Sequence, residues 1–535
     1  MKIKNLFVAM LAGAAMVSCS NEDFESGANN GAIQAGEQAF VSVNIMSPNA
    51  TRAFGDGAFE DGTAAESAVS EAVFLFLDGN YNGCANPFAV SGKGLLWTNE
   101  GLREGQTKEA TVLVIDGIKD EVPAYIVAIL NPTKAMKQSF TATTSLADLK
   151  GMFANFSSTT KNLVMSNAVY AAENNKEVVA TPIKLENIAK TKLAAKDVKP
   201  VTIQVERVVG KVEVASLTGA IDKLNADGLT ETIDDQEDLK LEFVLKGWEV
   251  LQNNQSRLIK NIDATNWTIT DWNALNLLRS YWANDYADAG RTEYLVGALT
   301  GQDNDFKYVE ETVNQTATAK NALNSVSPYL LVSGKFVKAG TTEAVDLVEW
   351  RGQKYTLEGY LNLIAGMAKV SQYYTAETVD GVTTYTSFTA NLLEMKDNTA
   401  NDWGATAVLK DESTQFYTVT FNADGQTVAT ATEAAIADVK AAIAEFGEVK
   451  YWNGGNTYYF APIKHQAKDA ETNFYGVVRN HVYKMNISSI TGYGTPVADP
   501  TQGIDEPEDP TEGDTYMNAE VVILDWRIVE NDVEL

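Results

Sequence analysis

The sequence predicts a mainly β chain, built as β-sandwich domains with small helical insertions. Three observations carry this. Short apolar runs recur along the chain and are bounded by Gly, Pro, Asn and Asp turn signals. Only three or four segments have helical spacing, which favours sheet-on-sheet packing over α/β layers. The 535 residues are 45% hydrophobic and 21% charged, a globular balance with length for about two to four domains.

The elements follow in order. Phe40-Val41-Ser42-Val43-Asn44-Ile45 alternates, with Val41, Val43 and Ile45 on one face of a strand. A Gly/Asp-rich loop follows, containing Thr51-Arg52-Ala53. Strands are predicted over Ala72–Leu77, Thr111–Ile115 and Ala124–Leu130, the last stopped by Asn131-Pro132. A helix is predicted over Leu146–Phe156, with Ser145 and Asp148 as a capping box. Val201–Val214 reads as two strands around Glu206-Arg207 and Gly210, and Leu241–Leu251 as another. Further helices are predicted over Thr356–Val370 and Glu433–Phe446, the second closed by Gly447. Hairpins are predicted at Asp380-Gly381, Asp424-Gly425 and Asn453-Gly454-Gly455. Val477–Ile487 reads as a strand. No repeat with a period of about 20–50 residues is visible.

The two ends carry separate signals. Lys2 and Lys4, the apolar stretch Leu6–Val17 and Met16-Val17-Ser18-Cys19 form a secretory signal. A small residue directly before Cys19 is similar to a bacterial lipoprotein cleavage site, with Met16 where Leu is usual; a plain secretory cut near Ser18 is the other reading. Acylation at Cys19 would anchor the chain through more than one lipid chain. At the far end, Val522, Leu524, Trp526 and Ile528 share one face of a strand, with Asp525 and Arg527 on the other. This strand follows a Pro-, Asp- and Glu-rich linker, Asp499–Asp514. An apolar strand on such a leash either folds back into its own domain or inserts into a neighbour's.

Composition and motifs exclude several functions. Net charge is −29, from 42 Lys+Arg against 71 Asp+Glu, so no nucleic-acid footprint exists. Two cysteines cannot form a disulfide framework. Two histidines, His465 and His481, leave little for a His-based metal site or a Ser-His-Asp triad, and His481 reads as a core residue. Asp78-x-Asn80-x-Asn82-Gly83 matches half of an EF-hand loop, but Ala89 stands where the bidentate Glu belongs, which leaves a turn. The acidic run Asp234–Asp238 reads as a solvated loop, with weak Ca²⁺ binding as the other reading. Tyr281-Trp282 and Tyr451-Trp452 could pack in a core or form a sugar platform. No enzyme, cofactor or metal site emerges.

These residues together resemble the fimbrillins of Bacteroidales, the subunits of type V pili. The resemblance rests on the lipoprotein signal, Thr51-Arg52-Ala53 after an N-terminal strand, and Val205–Val212. It also rests on Arg279–Ala283, on Val478–Ile487 and on the Trp526-Arg527 strand after its acidic linker. It implies two tandem β-sandwich domains, transthyretin-like in topology. It further implies a lipidated precursor at the outer membrane and an Arg-specific, trypsin-like protease that cuts between Arg52 and Ala53. The released strand would be Phe40–Met46 and the donor strand Val521–Val529, anchored by Val522, Leu524, Trp526 and Ile528. The expected organisation is a signal peptide (1–18), a propeptide with a removable strand (19–52), sandwich domains at 53–258 and 259–493, and a linker with donor strand (494–535). The implied function is that of a pilus shaft subunit in adhesion and biofilm formation. Its expected partners are copies of itself head-to-tail and accessory tip and anchor subunits. The physical case is independent: burying four large apolar side chains at about 1.5–3 kcal/mol each contributes about 6–12 kcal/mol before ordering costs. A head-to-tail contact that does not close generates a filament. A surface-anchored glycan-binding lipoprotein is the alternative, and a glycoside hydrolase, which needs two carboxylates across a cleft, a more remote one.

Overall fold

The computed structural model describes Ile33 and residues 35–46, 59–61, 63–91, 97–98, 111–119, 122–154, 162–172, 176–214, 224–225, 239–251, 254–262, 287–288, 298–301, 305–313, 328–398, 403–463, 476–501 and 516–527. The chain is mainly β, with β-sandwich packing, as the apolar alternation predicts.

The first sheet system contains β1 (Ala39–Met46), β3 (Glu71–Leu77), β4 (Phe88–Ser91), β5 (Trp97–Thr98), β6 (Thr111–Ile115), β7 (Tyr125–Leu130), β8 (Met165–Asn167), β9 (Ile188–Ala189) and β10 (Val201–Arg207). β10 joins two layers: residues 201–204 pair with β1 and residues 205–207 with β8. The core between the layers takes Val41, Val43, Leu113 and Ile115 from one side and Phe74, Phe76, Ile126 and Ala128 from the other. The opposite face of β3 and β7 (Val73, Leu75, Val127 and Ile129) packs under Met136, Phe140 and Leu149. Those three come from α2 (Lys134–Ser139), its C-cap and α3 (Leu146–Gly151). A short β2 (Phe59–Asp61) and α1 (Ala64–Ser67) precede β3 and serve the second system.

The second system is another sandwich. One sheet contains β11 (Val209–Val214), β13 (Phe306–Glu310), β16 (His481–Thr491), β17 (Tyr516–Arg527) and β2. The facing sheet is centred on β12 (Leu241–Leu251), β14 (Tyr329–Lys338) and β15 (Asn456–Pro462). Between them lie Val212, Tyr483, Met485 and Ile487 from one sheet and Phe243, Trp248, Val332, Phe336 and Tyr459 from the other.

The structure corrects several expectations. The chain leaves the first sheet system between Arg207 and Val209, so the expected division at 258/259 is not a division between sheets. β14 and β15 pair directly although more than a hundred residues separate them in sequence. The stretch between them forms a third unit with its own sheets and core, where Tyr360, Ile364, Phe416, Val439 and Ile443 meet. Asn453-Gly454-Gly455 is therefore not a hairpin turn. It links strand Glu448–Trp452 of the inserted unit to β15 in another sheet, with Gly454 at φ 62° and Gly455 at φ 68°. The helix begun at Ser145 stops at Gly151, because Phe153 bridges to Arg257 as extended chain. The 356–370 helix is two, α4 (Leu357–Gly366) and α5 (Ala368–Ser371), broken where Met367 is extended at ψ 136°. The last helix, α6, is Ile436–Ala444, since Glu433 and Ala434 end a strand. The run from Val477 is interrupted at 478–480, where Asn480 has φ 59°, and β16 then continues to Thr491.

Candidate assembly site

The N-terminal strand, expected from the resemblance to be removable, sits inside the first sheet. On one side, β1 pairs antiparallel with β6, Val41 opposite Leu113, and at its end with β5, Ile45 opposite Trp97. On the other, Phe40 and Val41 pair with Ala189 and Ile188, and residues 43–46 run parallel to residues 201–204. Both edges of β1 are thus hydrogen-bonded along its length. Ala39, Val41 and Val43 are buried, as their alternation predicts. Removing β1 would strip two ladders and leave an apolar slot between β6 and β10. Residues 47–58, which join β1 to β2, lie outside the described residues, as do Cys19, Arg52 and Ala53.

The carboxy-terminal strand also has a seat. β17 runs antiparallel to β16, with Val522 opposite Lys484 and Leu524 opposite Val482. On its other edge β2 runs parallel to it, placing Glu60 opposite Trp526. Of the two fates open to this strand, the backbone shows it folded back on its own chain. Ile528 lies outside the described residues. β2, the first described strand after Arg52, thus covers the outer edge of the strand expected to leave.

Between the two sandwiches lies a buried polar junction that the sequence reading missed. Thr63 caps α1: its Oγ1 accepts from the Glu66 amide at 3.3 Å, and its own amide donates to Glu66 Oε2 at 2.6 Å. Glu66 Oε1 receives the Tyr308 hydroxyl at 2.9 Å and stands 3.2 Å from Lys211 Nζ. Burial works against its ionisation, yet the Thr63 amide, Lys211 and Tyr308 hold the carboxyl below its ordinary value. Arg207, fully buried, donates to the Glu66 carbonyl. Burial pulls its guanidinium down, and the Glu66 carboxylate opposes that shift.

A second group sits alongside. Arg479 Nε donates to Glu311 Oε2 at 2.6 Å, and its terminal nitrogens reach the carbonyls of Arg257 and Leu258. Lys260 Nζ is 3.5 Å from Glu206 Oε1 and 4.0 Å from Glu311 Oε1. Burial lowers the Lys260 ammonium, against the pull of Glu206 and Glu311. Two acids and two bases balance, and such pairing is what buried charge requires. Glu310 is buried and accepts from the Ser256 amide; burial pushes its carboxyl up to about 7. The sequence signal was present: Glu206-Arg207 and Arg479 interrupt otherwise apolar strand runs.

The other candidates resolve plainly. Asp78 Oδ1 accepts from the amides of Asn80 and Asn82, so its carboxylate closes a turn. Among the described residues no group of three or more His, Cys, Asp or Glu could hold a metal. His481 is buried, with Nδ1 2.8 Å from the Arg479 carbonyl. Trp452 is buried and donates Nε1 to the Tyr493 carbonyl, and Tyr451 is buried beside it, so this pair offers no sugar platform. Residues 234–238, Arg279–Ala283 with Tyr281-Trp282, and His465 lie outside the described residues.

Residues 450–532 match the family described as major fimbrial subunit protein type IV, fimbrillin, C-terminal. No curated protein matches the chain. Among solved structures, a candidate cell adhesion protein from Bacteroides eggerthii aligns at 10% identity over 93% of this chain and 98% of its own, TM-score 0.35. One from Parabacteroides distasonis aligns at 12% identity over 93% and 99%, TM-score 0.36. The tip fimbrial protein Mfa3 from Porphyromonas gingivalis, truncated at its C-terminus, aligns at 10% identity over 91% and 100%, TM-score 0.35. Superpositions at this level add nothing to the reading of function.

Proposed function

We propose that this chain, whose carboxy-terminal region is that of a fimbrial subunit, is a shaft subunit of a type V fimbria assembled by donor-strand exchange. The precursor is lipidated at Cys19 and held at the outer membrane. An Arg-specific, trypsin-like protease cuts between Arg52 and Ala53. The lipidated segment leaves with β1, and the slot between β6 and β10 opens. The strand at Val521–Val529 of another copy enters it, with Val522, Leu524, Trp526 and Ile528 as anchors. Repeated head-to-tail, the contact builds a filament that serves adhesion and biofilm formation, joined by tip and anchor subunits. The mature chain then comprises an N-terminal sandwich, a C-terminal sandwich with the inserted unit, and the donor strand on its linker.

The observation that carries this reading is the position of β1. It is buried and paired on both edges, yet it precedes the only arginine found before residue 103. A strand so placed leaves a slot of its own shape when cut free, and main-chain pairing along two edges supplies affinity to a replacement. The test uses the purified precursor and an Arg-specific protease at low dose. SDS-resistant ladders and filaments are expected from the intact sequence, and neither from Arg52→Ala nor from a chain lacking residues 516–535. Ladders that persist without those residues would overturn the donor assignment.

A further inference from the structure

We infer that the lysine-rich edge at residues 184–199 receives the acidic linker of a second copy of this chain, so that the incoming strand runs in the direction of β1. This rests on the strand-exchange reading above.

The edge is a basic island on an acidic protein. Lys184, Lys190, Lys192, Lys196 and Lys199 are all exposed, against only Glu186 and Asp197 in the same stretch. Lys184 reaches Glu186 at 3.9 Å, while Lys190, Lys192, Lys196 and Lys199 form no ion pair among the described residues. A solvated charged face is the ordinary fate of such a run. Here its placement says more. β9, in the middle of the run, pairs with Phe40 and Val41, the entry end of β1. The loop is pinned at both ends by one side chain: Asn187 Oδ1 accepts from the Lys184 amide and Asn187 Nδ2 donates to the Lys199 carbonyl. The turn Ala194–Lys196 lies against β1, with Ala195 buried. Leu193, 76% exposed, stands among the lysines.

The segments that lead into the two competing strands share one chemistry. Residues 20–38, before β1, hold Glu22, Asp23, Glu25 and Glu37 and no Lys or Arg. Residues 499–515, before β17, hold Asp499, Asp505, Glu506, Glu508, Asp509, Glu512 and Asp514 and no Lys or Arg. A strand entering in the direction of β1 brings such a segment to the end of the slot that this edge flanks. There Gly36 and Gln38 bond to Ile118 and Asp116 on the β6 side and leave the lysine side to the linker. Entry in the opposite direction would bring residues 530–535, with Glu530, Asp532 and Glu534, instead. The linker offers the larger total charge, seven acids against three, and repeats the polarity β1 already has. Opposite charges at the mouth of a binding slot speed encounter by about 10–10³-fold and lose their effect with salt.

The test measures ladder formation and light scattering after an Arg-specific cut, at low and high salt, on the full-length precursor. Lys190→Glu/Lys192→Glu/Lys196→Glu is expected to slow assembly about tenfold at low salt and to flatten its salt dependence. The milder Lys192→Gln/Lys196→Gln is expected to do the same to a smaller degree. Adding Asp505→Lys/Glu506→Lys/Glu508→Lys/Asp509→Lys to the triple variant restores the rate. An unchanged rate with intact ladders overturns the inference and leaves strand exchange standing. Rescue by Glu530→Lys/Asp532→Lys/Glu534→Lys in place of the linker changes overturns the direction. Absence of ladders from the unaltered chain overturns the reading beneath it.

Discussion

Arg479 donates to Glu311 Oε2 at 2.6 Å while neither side chain reaches solvent, and two backbone carbonyls take its remaining reach. Breaking one side of such a pair leaves a charge with no water and no partner. Arg479→Met is expected to destabilise the chain by about 3–5 kcal/mol, read by urea unfolding. Arg479→Met/Glu311→Gln should recover part of that loss, because the orphaned carboxylate is gone. A single variant as stable as the parent would mean that water reaches this junction.

The Glu310 carboxyl gives a pH dependence of definite sign. Its ordinary value is 4.5, and burial raises it to about 7 in the folded chain. Between these values the folded state holds a proton that the unfolded state has released. Its contribution to stability is therefore complete below about pH 4.5 and fades as pH rises towards about 7. Glu310→Gln, which copies the protonated form, should remove that fall. Denaturation curves of parent and variant at about pH 5 and about pH 7.5 check it; a constant difference between them would contradict it. Glu66, held low, contributes with the opposite sign, losing its share as pH drops.

Hydrogen exchange can follow the slot directly. Amides of Val41, Val43 and Asn44 should exchange among the slowest in the uncut precursor, since both edges of β1 are paired. After the cut and loss of residues 19–52, protection should fall in 111–115, 188–189 and 201–204. It should return on assembly. Protection that never changes in these strands would contradict a vacated slot.

Gly455 tests the link between the inserted unit and β15. It has φ 68°, and a Cβ there would lie 2.5 Å from the Phe336 carbonyl oxygen. Gly455→Ala is expected to cost about 1–3 kcal/mol through strain alone. Thermal melting should detect it, with the capacity to form ladders kept. By contrast Gly381→Ala, at φ 80° with open space around it, should cost less.

What could be read from sequence was what depends on neighbours along the chain. Leu241–Leu251 and Thr111–Ile115 have the expected bounds because alternation with turn punctuation fixes a strand locally. The Ser145–Asp148 capping box formed as its spacing dictates. Asp380-Gly381 makes its hairpin because both residues accept positive φ. Alternation also marked Val41 and Val43 as buried, but not which strands flank them. A pattern of faces says nothing about edges, so alternation alone does not place β1 in the middle of its sheet. The inserted unit escaped because its bracket, residues 329–335 against 456–462, is a pairing across a long sequence gap. Arg207, Lys260 and Arg479 escaped because composition treats charge as surface, and only an apolar context on both sides hints otherwise. The lysines at 184–199 were passed over for the opposite reason. Exposed charge is ordinary until the sheet shows what lies next to it.

The two-sided pairing of β1 has a mechanical meaning. A strand gripped on one edge and pulled at its end can peel away one bond after another. A strand gripped on both edges and pulled along its axis must slide against two ladders at once, and their bonds share the force. If a neighbour's strand takes the same place, tension between subunits acts along that axis, drawn through the linker. The joint would then resist a steady pull by shear and fail abruptly, which is useful behaviour in a surface fibre exposed to flow.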